Sequence, residues 1–161
     1  MKITELTDLN DVDVLVEIAS TYPKTHEESI GLKKQLLKEL SEAGDNRLIF
    51  VGYQNDQAVA MIQMILKNAD NDPELADGNK IVHLHNLQVR SELQNQGIGK
   101  EMMAFTEDKA RELNKKIITL GVDNTNAKAI HLYEKLGYQI FKIEPGRTPD
   151  EKGLLMKKEL I

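Results

Sequence analysis

Gln94-Asn95-Gln96-Gly97-Ile98-Gly99-Lys100 is the centre of the stretch that decides the fold, Ile81 to Phe141. Ahead of it, Ile81 to Val89 reads as a strand. Behind it, Met102, Met103, Thr106, Ala110 and Leu113 repeat at helical spacing, so Gly97 and Gly99 fall where a helix begins. The first amides of a helix lack intrahelical partners and point outward along the positive end of its dipole. Glycines there let a ligand approach the backbone closely, and Lys100 adds a positive charge. Such a turn suits an anion, most naturally a phosphate or pyrophosphate.

Three kinds of phosphate loop use this physics, and spacing separates them. A Walker-type loop requires a glycine six positions before its Lys-Ser/Thr pair; here Gln94 and Glu101 occupy those places, and the hydroxyl that would hold magnesium is missing. A dinucleotide fingerprint starting at Gly97 requires Gly or Ala where Met102 stands, and it follows the first strand of a βαβ unit, whereas this strand is the fourth. Gln-x-x-Gly-x-Gly is satisfied in full by Gln94, Gly97 and Gly99.

Further along, Asn126-Ala127-Lys128-Ala129-Ile130-His131-Leu132-Tyr133-Glu134-Lys135-Leu136-Gly137-Tyr138 matches Asn-x-x-Ala-x-x-Leu-Tyr-x-x-x-Gly-Phe/Tyr. On these two motifs, in this order, the chain resembles the GNAT superfamily of acetyl-CoA-dependent N-acetyltransferases. The resemblance implies that backbone amides of Gln94, Asn95, Gln96, Gly97, Ile98, Gly99 and Lys100 hold the pyrophosphate of coenzyme A. It also implies that Leu87, Gln88 and Val89 hydrogen-bond the pantetheine arm, with one of their amides facing the thioester oxygen. Gln94 stands where Arg is frequent and Tyr138 where Phe is frequent, and neither departure points to a substrate.

A chain of 161 residues, 40% of them hydrophobic, is expected to form one domain over 1–161 with a substantial core. It has no cysteine, which excludes disulfides, thiolate nucleophiles and cysteine metal sites. With 21 basic against 26 acidic residues, the net charge of −5 argues against a nucleic-acid partner. It could favour cationic acceptors, although net charge more often serves solubility alone. No run approaches the roughly 20 apolar residues of a membrane span, so a cytoplasmic enzyme with no membrane partner is expected.

Lys2 to Leu6 reads as an edge strand and Asp11 to Ser20 as a short helix. Thr25 and Glu28 have capping-box spacing for a second helix, with Leu32, Leu36, Leu37, Leu40 and Ala43 inward and Gly44 as its terminator. Arg47 to Tyr53 and Ala58 to Leu66 read as a hairpin whose second strand is apolar on both faces and hence central. Lys67 to Lys80 reads as a solvated hairpin loop, with the border of an acceptor pocket as the alternative. Lys116 to Val122 is a strand, Ala127 to Leu136 a helix capped by Asn126, and Tyr138 to Ile143 and Leu154 to Leu160 the last two strands. The fold class is α/β of the α+β type, in the order βααβββαβαββ. A parallel crossover is expected around Gln88 and Leu120. The resembled family has this order, with a central mixed, twisted sheet flanked by helices.

Attack of a neutral amine on an acetyl thioester calls for proton removal, oxyanion stabilisation and protonation of the leaving thiolate. By the resemblance, Tyr133 is the acid; a phenol of pKa ~10 holds its proton at neutral pH. The competing reading is a Tyr on the apolar helix face, its hydroxyl bonded to backbone. Asn126 has two compatible roles, as helix cap and as a partner of the cofactor arm.

His83 and His85 share a strand face by alternation, and His83-Leu84-His85-Asn86-Leu87-Gln88-Val89 resembles the His-x-His segment of arylalkylamine N-acetyltransferases, where the pair is implicated in proton removal through water. A polar strand face is an equally simple account, and two histidines without a third ligand are weak grounds for zinc, so no metal is expected. At 4% aromatic residues and no Trp, the chain offers no aromatic cage that would specify arylalkylamines. The expected function is acetyl-CoA-dependent N-acetylation of a primary amine on a small molecule or peptide. Protein N-terminal acetylation and noncatalytic acyl-CoA binding are the alternatives, and homodimer formation is left open.

Overall fold

A computed structural model describes residues 1–161. Its elements are β1 (Lys2–Leu6), α1 (Val12–Ala19), α2 (His26–Leu40), β2 (Arg47–Gln54), β3 (Gln57–Ile65), β4 (Ile81–Val89), α3 (Ile98–Glu112), β5 (Ile117–Asp123), α4 (Ala127–Lys135), β6 (Gln139–Pro145) and β7 (Lys152–Glu159), in the order expected from the sequence. Short 3-10 turns stand at Leu9–Asp11 and Ser91–Leu93. The strands form a seven-stranded mixed sheet ordered β1-β2-β3-β4-β5-β7-β6. No helix is long and apolar enough to cross a membrane. The chain divides into two compact units, Met1–Ile65 with Asn86–Thr106, and Leu66–His85 with Glu107–Ile161.

In the first unit, β1, β2 and β3 form an antiparallel meander. The β2–β3 hairpin turns on Asn55 and Asp56, both at positive φ (50° and 64°), the geometry of the two-residue turn that matches strand twist. From Ala58 to Ile65 every residue of β3 is buried, as its apolar character on both faces requires. Leu15 and Ile18 of α1 and Leu36 and Leu40 of α2 pack with Ile49, Val51 and Met61. Gly52 leaves room for the Met102 sulfur, which a Cβ there would meet at 3.0 Å. The Phe105 ring meets Phe50 edge-on at 5.0 Å.

Thr25 and Glu28 form the expected capping box of α2. The helix ends earlier than its pattern suggests, at Leu40, because the next bonds tighten to i→i−3: Glu42 N–H to Glu39 O at 3.1 Å and Ala43 N–H to Leu40 O at 3.0 Å. Ala43 therefore lies outside the helical stripe, and Gly44, at φ 85°, turns the chain toward β2.

In the second unit β5 pairs parallel with β4 from Ile81↔Ile117 to Leu84↔Leu120. β7 runs antiparallel to β5 and carries β6 on its other side. The parallel crossover between the strands that carry Gln88 and Leu120 is thus present, with the paired register confined to the first half of β4. Asn86, at φ 58°, interrupts the extended backbone of β4 soon after that register, a conformation Asn tolerates better than most residues.

Two further expectations are corrected here. Leu113 is 38% exposed, because α3 ends at Glu112 and Asn114 turns left-handed (φ 60°) as Lys115 N–H bonds back to Ala110 O at 2.9 Å. The segment between β3 and β4 is not a plain solvated loop. It buries Ala69, Leu75 and Ala76, and Asp77 Oδ1 accepts from the amides of Asn79, Lys80 and Ile81 at 2.8, 2.9 and 2.9 Å.

Candidate active site

In the first unit the end of β4 passes into the Gln94–Lys100 loop through a set of ties to the chain after α1. The Tyr22 hydroxyl donates to Val89 O and accepts from Gln94 Nε2 at 2.6 Å. Ser91 N–H donates to Thr21 Oγ1 at 2.9 Å, and Ser91 Oγ returns a bond to Thr21 O at 2.6 Å. Arg90 N–H donates to Val59 O at 2.8 Å, while its guanidinium meets Glu17 at 3.1 Å and Glu92 at 2.6 Å. Leu87 and Val89 are half-buried. Gln88 Nε2 donates to Asn86 Oδ1 at 2.6 Å and steadies the irregular backbone there, and its buried Oε1 has no partner.

The loop itself is built by conformation. Asn95 (φ 65°) and Gly97 (φ 82°) turn left-handed, and buried Ile98 anchors the first residue of α3. The first helical bond across the turn is Glu101 N–H to Gly97 O at 3.1 Å, so the amides of Ile98, Gly99 and Lys100 precede the intrahelical ladder. Gln94, Asn95, Gln96, Gly97 and Lys100 are exposed around them. The arrangement provides donors and a positive dipole end for an anion.

In the second unit, His83 is buried on β4, its Nδ1 2.9 Å from Thr119 Oγ1, the residue opposite it in the β4–β5 register. Thr119 Oγ1 in turn donates to Leu75 O at 2.7 Å. His85 shares the strand face but is exposed. Beside them on the β3–β4 segment, Asp72 bonds Lys142 Nζ at 2.9 Å, and that hydrogen bond, ahead of the Glu74 amide, holds its carboxyl below the usual range.

Asn126 caps α4, its side chain accepting from Ala129 N–H at 3.2 Å. Tyr133 lies on the same helix, half-buried, its ring 6.1 Å from Tyr138 and edge-on to it. Its carbonyl takes the Tyr138 amide at 3.0 Å, but its hydroxyl is bonded neither to backbone nor to any side chain. Burial pushes its pKa above the ordinary tyrosine value. Tyr133 lies with Ile130 and Leu136 on the half-buried face of α4, as the apolar-face account has it, but without the backbone bond to its hydroxyl that the account adds.

The candidate residues therefore fall into groups. Val89 and Gln94 meet through Tyr22; His83 is held by Thr119; Asn126 and Tyr133 share a helix without touching. Tyr22 and Thr119 carry no motif in the sequence, and only the strand register would have pointed to the second. No group of three or more His, Asp or Glu side chains is gathered in metal-binding fashion.

Comparison with known proteins bears on the whole arrangement. Residues 13–138 match the sequence model of the Acetyltransferase (GNAT) family. An uncharacterized N-acetyltransferase from Lactobacillus delbrueckii subsp. lactis is 26% identical over 110 residues, 65% of this chain and 60% of the relative's own length. Among solved structures, a GNAT acetyltransferase from Desulfovibrio desulfuricans superposes with a TM-score of 0.80 at 13% identity, covering 99% of each chain. The PaiA N-acetyltransferase of Thermoplasma acidophilum in complex with coenzyme A gives a TM-score of 0.72 at 18% identity, again covering 99% of each chain. With the family model matching most of its length, the chain belongs to the acetyltransferase (GNAT) family.

Proposed function

We propose that the protein is a cytoplasmic N-acetyltransferase, acting as one domain over residues 1–161, that moves an acetyl group from acetyl-CoA to a primary amine of a small molecule or peptide. The observation that carries the reading is Tyr133: a half-buried phenol whose hydroxyl has no protein partner and whose pKa burial raises above the ordinary tyrosine value. Retention of such a phenol favours chemistry over a module that only binds acyl-CoA, although a binding module can keep one too. Family membership and the crystallised complex of a structural neighbour with coenzyme A support the choice of donor.

In this reading the amides of Ile98, Gly99 and Lys100 receive the pyrophosphate and the backbone of Leu87, Gln88 and Val89 the pantetheine arm. The neutral amine attacks the thioester carbon, forming the C–N bond and an oxyanion. A backbone N–H of Leu87–Val89 stabilises that charge, a contribution of about 3–4 kcal/mol where one such donor has been removed. The C–S bond then breaks, sulfur keeps the electron pair, and Tyr133 gives it a proton. The proton lost by the amine leaves through His83 and the exposed His85. The products are an N-acetylamine and coenzyme A thiol, and solvent reprotonates Tyr133.

The test is incubation of the protein with acetyl-CoA and a panel of polyamines, arylalkylamines, aminoglycosides, amino acids and peptide N-termini. Acceptor-dependent thiol release would be measured with mass confirmation of the product. Turnover of one class establishes the enzyme and selects its acceptor. Tight acetyl-CoA binding without turnover across the panel counts for a noncatalytic module.

A further inference from the structure

We propose that Thr119 is a positioning residue that fixes the tautomer of His83, so that the neutral imidazole carries its proton on Nδ1 and accepts a proton at Nε2. The catalytic consequence rests on His83 serving as the amine's proton acceptor; the tautomer does not.

A hydroxyl has one proton to give. Thr119 Oγ1 lies 2.7 Å from Leu75 O and 3.4 Å from Val82 O, and both are carbonyls that can only accept. The Thr119 proton is thus committed to a carbonyl, with Leu75 the better placed. His83 Nδ1, 2.9 Å from the same oxygen, must then be the donor. The reverse assignment would turn the Thr119 proton toward His83 and leave the Leu75 carbonyl facing a lone pair where Thr119 is fully buried and His83 8% exposed.

Three elements make the contact. β4 and β5 bring the two side chains opposite each other in register, and the buried Leu75 supplies the carbonyl from the segment between β3 and β4. The same segment carries Asp72, bonded to Lys142 of β6, with Glu74 also near that ammonium at 3.5 Å. A β-branched residue suits the position because its χ1 is restricted.

The Nδ1–H bond to Thr119 is common to the neutral ring and the imidazolium. With Nδ1 committed to Thr119, any proton that the ring takes up goes to Nε2 while the ring keeps its anchor.

The experiment is long-range 1H–15N correlation of the histidine rings in the full chain, above the pH at which they titrate, with His83→Asn to assign the signals. Wild type and Thr119→Ser should show a pyrrole-type Nδ1 and a pyridine-type Nε2 for residue 83, and Thr119→Val should lose that pattern. A wild-type ring protonated on Nε2, or an unchanged Nδ1–H ring in Thr119→Val, overturns the assignment. If Thr119→Val does not fold, the wild-type and Thr119→Ser spectra decide. In the acetyl-transfer assay, Thr119→Val should lower kcat roughly tenfold or more with KM for acetyl-CoA unchanged, and Thr119→Ser should restore it. A wild-type kcat in Thr119→Val rejects the positioning role. Absence of any turnover by wild type, with the spectra as expected, supports the tautomer and rejects the acetyltransferase reading instead.

Discussion

The Gln94 side-chain amide donates to the Tyr22 hydroxyl at 2.6 Å, and that same hydroxyl donates to the carbonyl of Val89. One phenol thereby ties the start of the Gln94–Lys100 loop to the last residue of β4, from a position just beyond α1. Under the proposed function these are two parts of one cofactor grip, the strand end for the pantetheine arm and the loop for the pyrophosphate. Their spacing is set by a residue that need not touch the cofactor.

Tyr22→Phe should therefore weaken acetyl-CoA binding without abolishing it. Losing a hydrogen-bonded tie of this kind costs ~1 kcal/mol, which corresponds to about a fivefold weaker Kd. Gln94→Ala should give a similar loss, and the double variant little more than either alone, because both remove one connection. Calorimetric titration with acetyl-CoA measures this directly; wild-type affinity in Tyr22→Phe would show that the loop holds its position unaided.

Gly97→Ala isolates backbone conformation. No atom lies within 4 Å of where its Cβ would sit, so there is space for the methyl group, yet φ is 82°. The cost is strain in the left-handed region, about 1–2 kcal/mol. Urea unfolding should register that loss, and acetyl-CoA affinity should fall as the loop relaxes away from its turn. An unchanged unfolding midpoint would mean that the turn can be made without a glycine.

What could be read from the sequence was local. The Thr25/Glu28 capping box, the Asn126 cap, the glycine turn at Gly97 and the apolar run of β3 each depend on residues a few positions apart, and each formed as expected. The contacts that escaped reading join distant positions. Tyr22 and Val89 are 67 residues apart and His83 and Thr119 are 36 apart, and neither hydroxyl differs in sequence from an ordinary surface one. Leu75 and Ala76 were hidden by the polar residues around them. Glu107 interrupts the apolar face of α3 yet is buried, since Lys158 reaches it from β7 at 2.6 Å. Hydrophobic periodicity does not foresee a buried carboxylate whose partner is 51 residues away.

Tyr133→Phe should lower kcat by roughly a hundredfold, in the range of a lost general acid, and leave acetyl-CoA binding unchanged. Burial raises the phenol's pKa, so wild-type activity should show no loss from this group as pH approaches 10, the ordinary tyrosine value. Steady-state rates with an acceptor that gives a chemically limited step, paired with titration calorimetry, separate the two effects. A wild-type kcat in the variant would remove the acid from Tyr133.

Tyr138 gives a prediction about stability at high pH. It is 2% exposed, its hydroxyl has no partner within hydrogen-bonding geometry, and burial, helped by the charge of neighbouring Glu107, lifts its pKa far above the tyrosine range. Below pH ~10 the folded and unfolded chains both keep this proton, and the stability linked to the shift is fully present. As pH rises further the unfolded chain releases the proton while the native state retains it. Unfolding is then favoured by up to ~1.4 kcal/mol for each pH unit, until the native group itself titrates. Tyr138→Phe removes this linkage along with a buried hydroxyl that has no well-formed hydrogen bond. The variant should match or exceed wild-type stability at neutral pH, and its urea midpoint should decline less steeply above pH 10. Lysines titrate in the same range in both proteins, so the difference between the two curves isolates Tyr138. Parallel alkaline declines in wild type and variant would mean that its proton does not distinguish the folded from the unfolded chain.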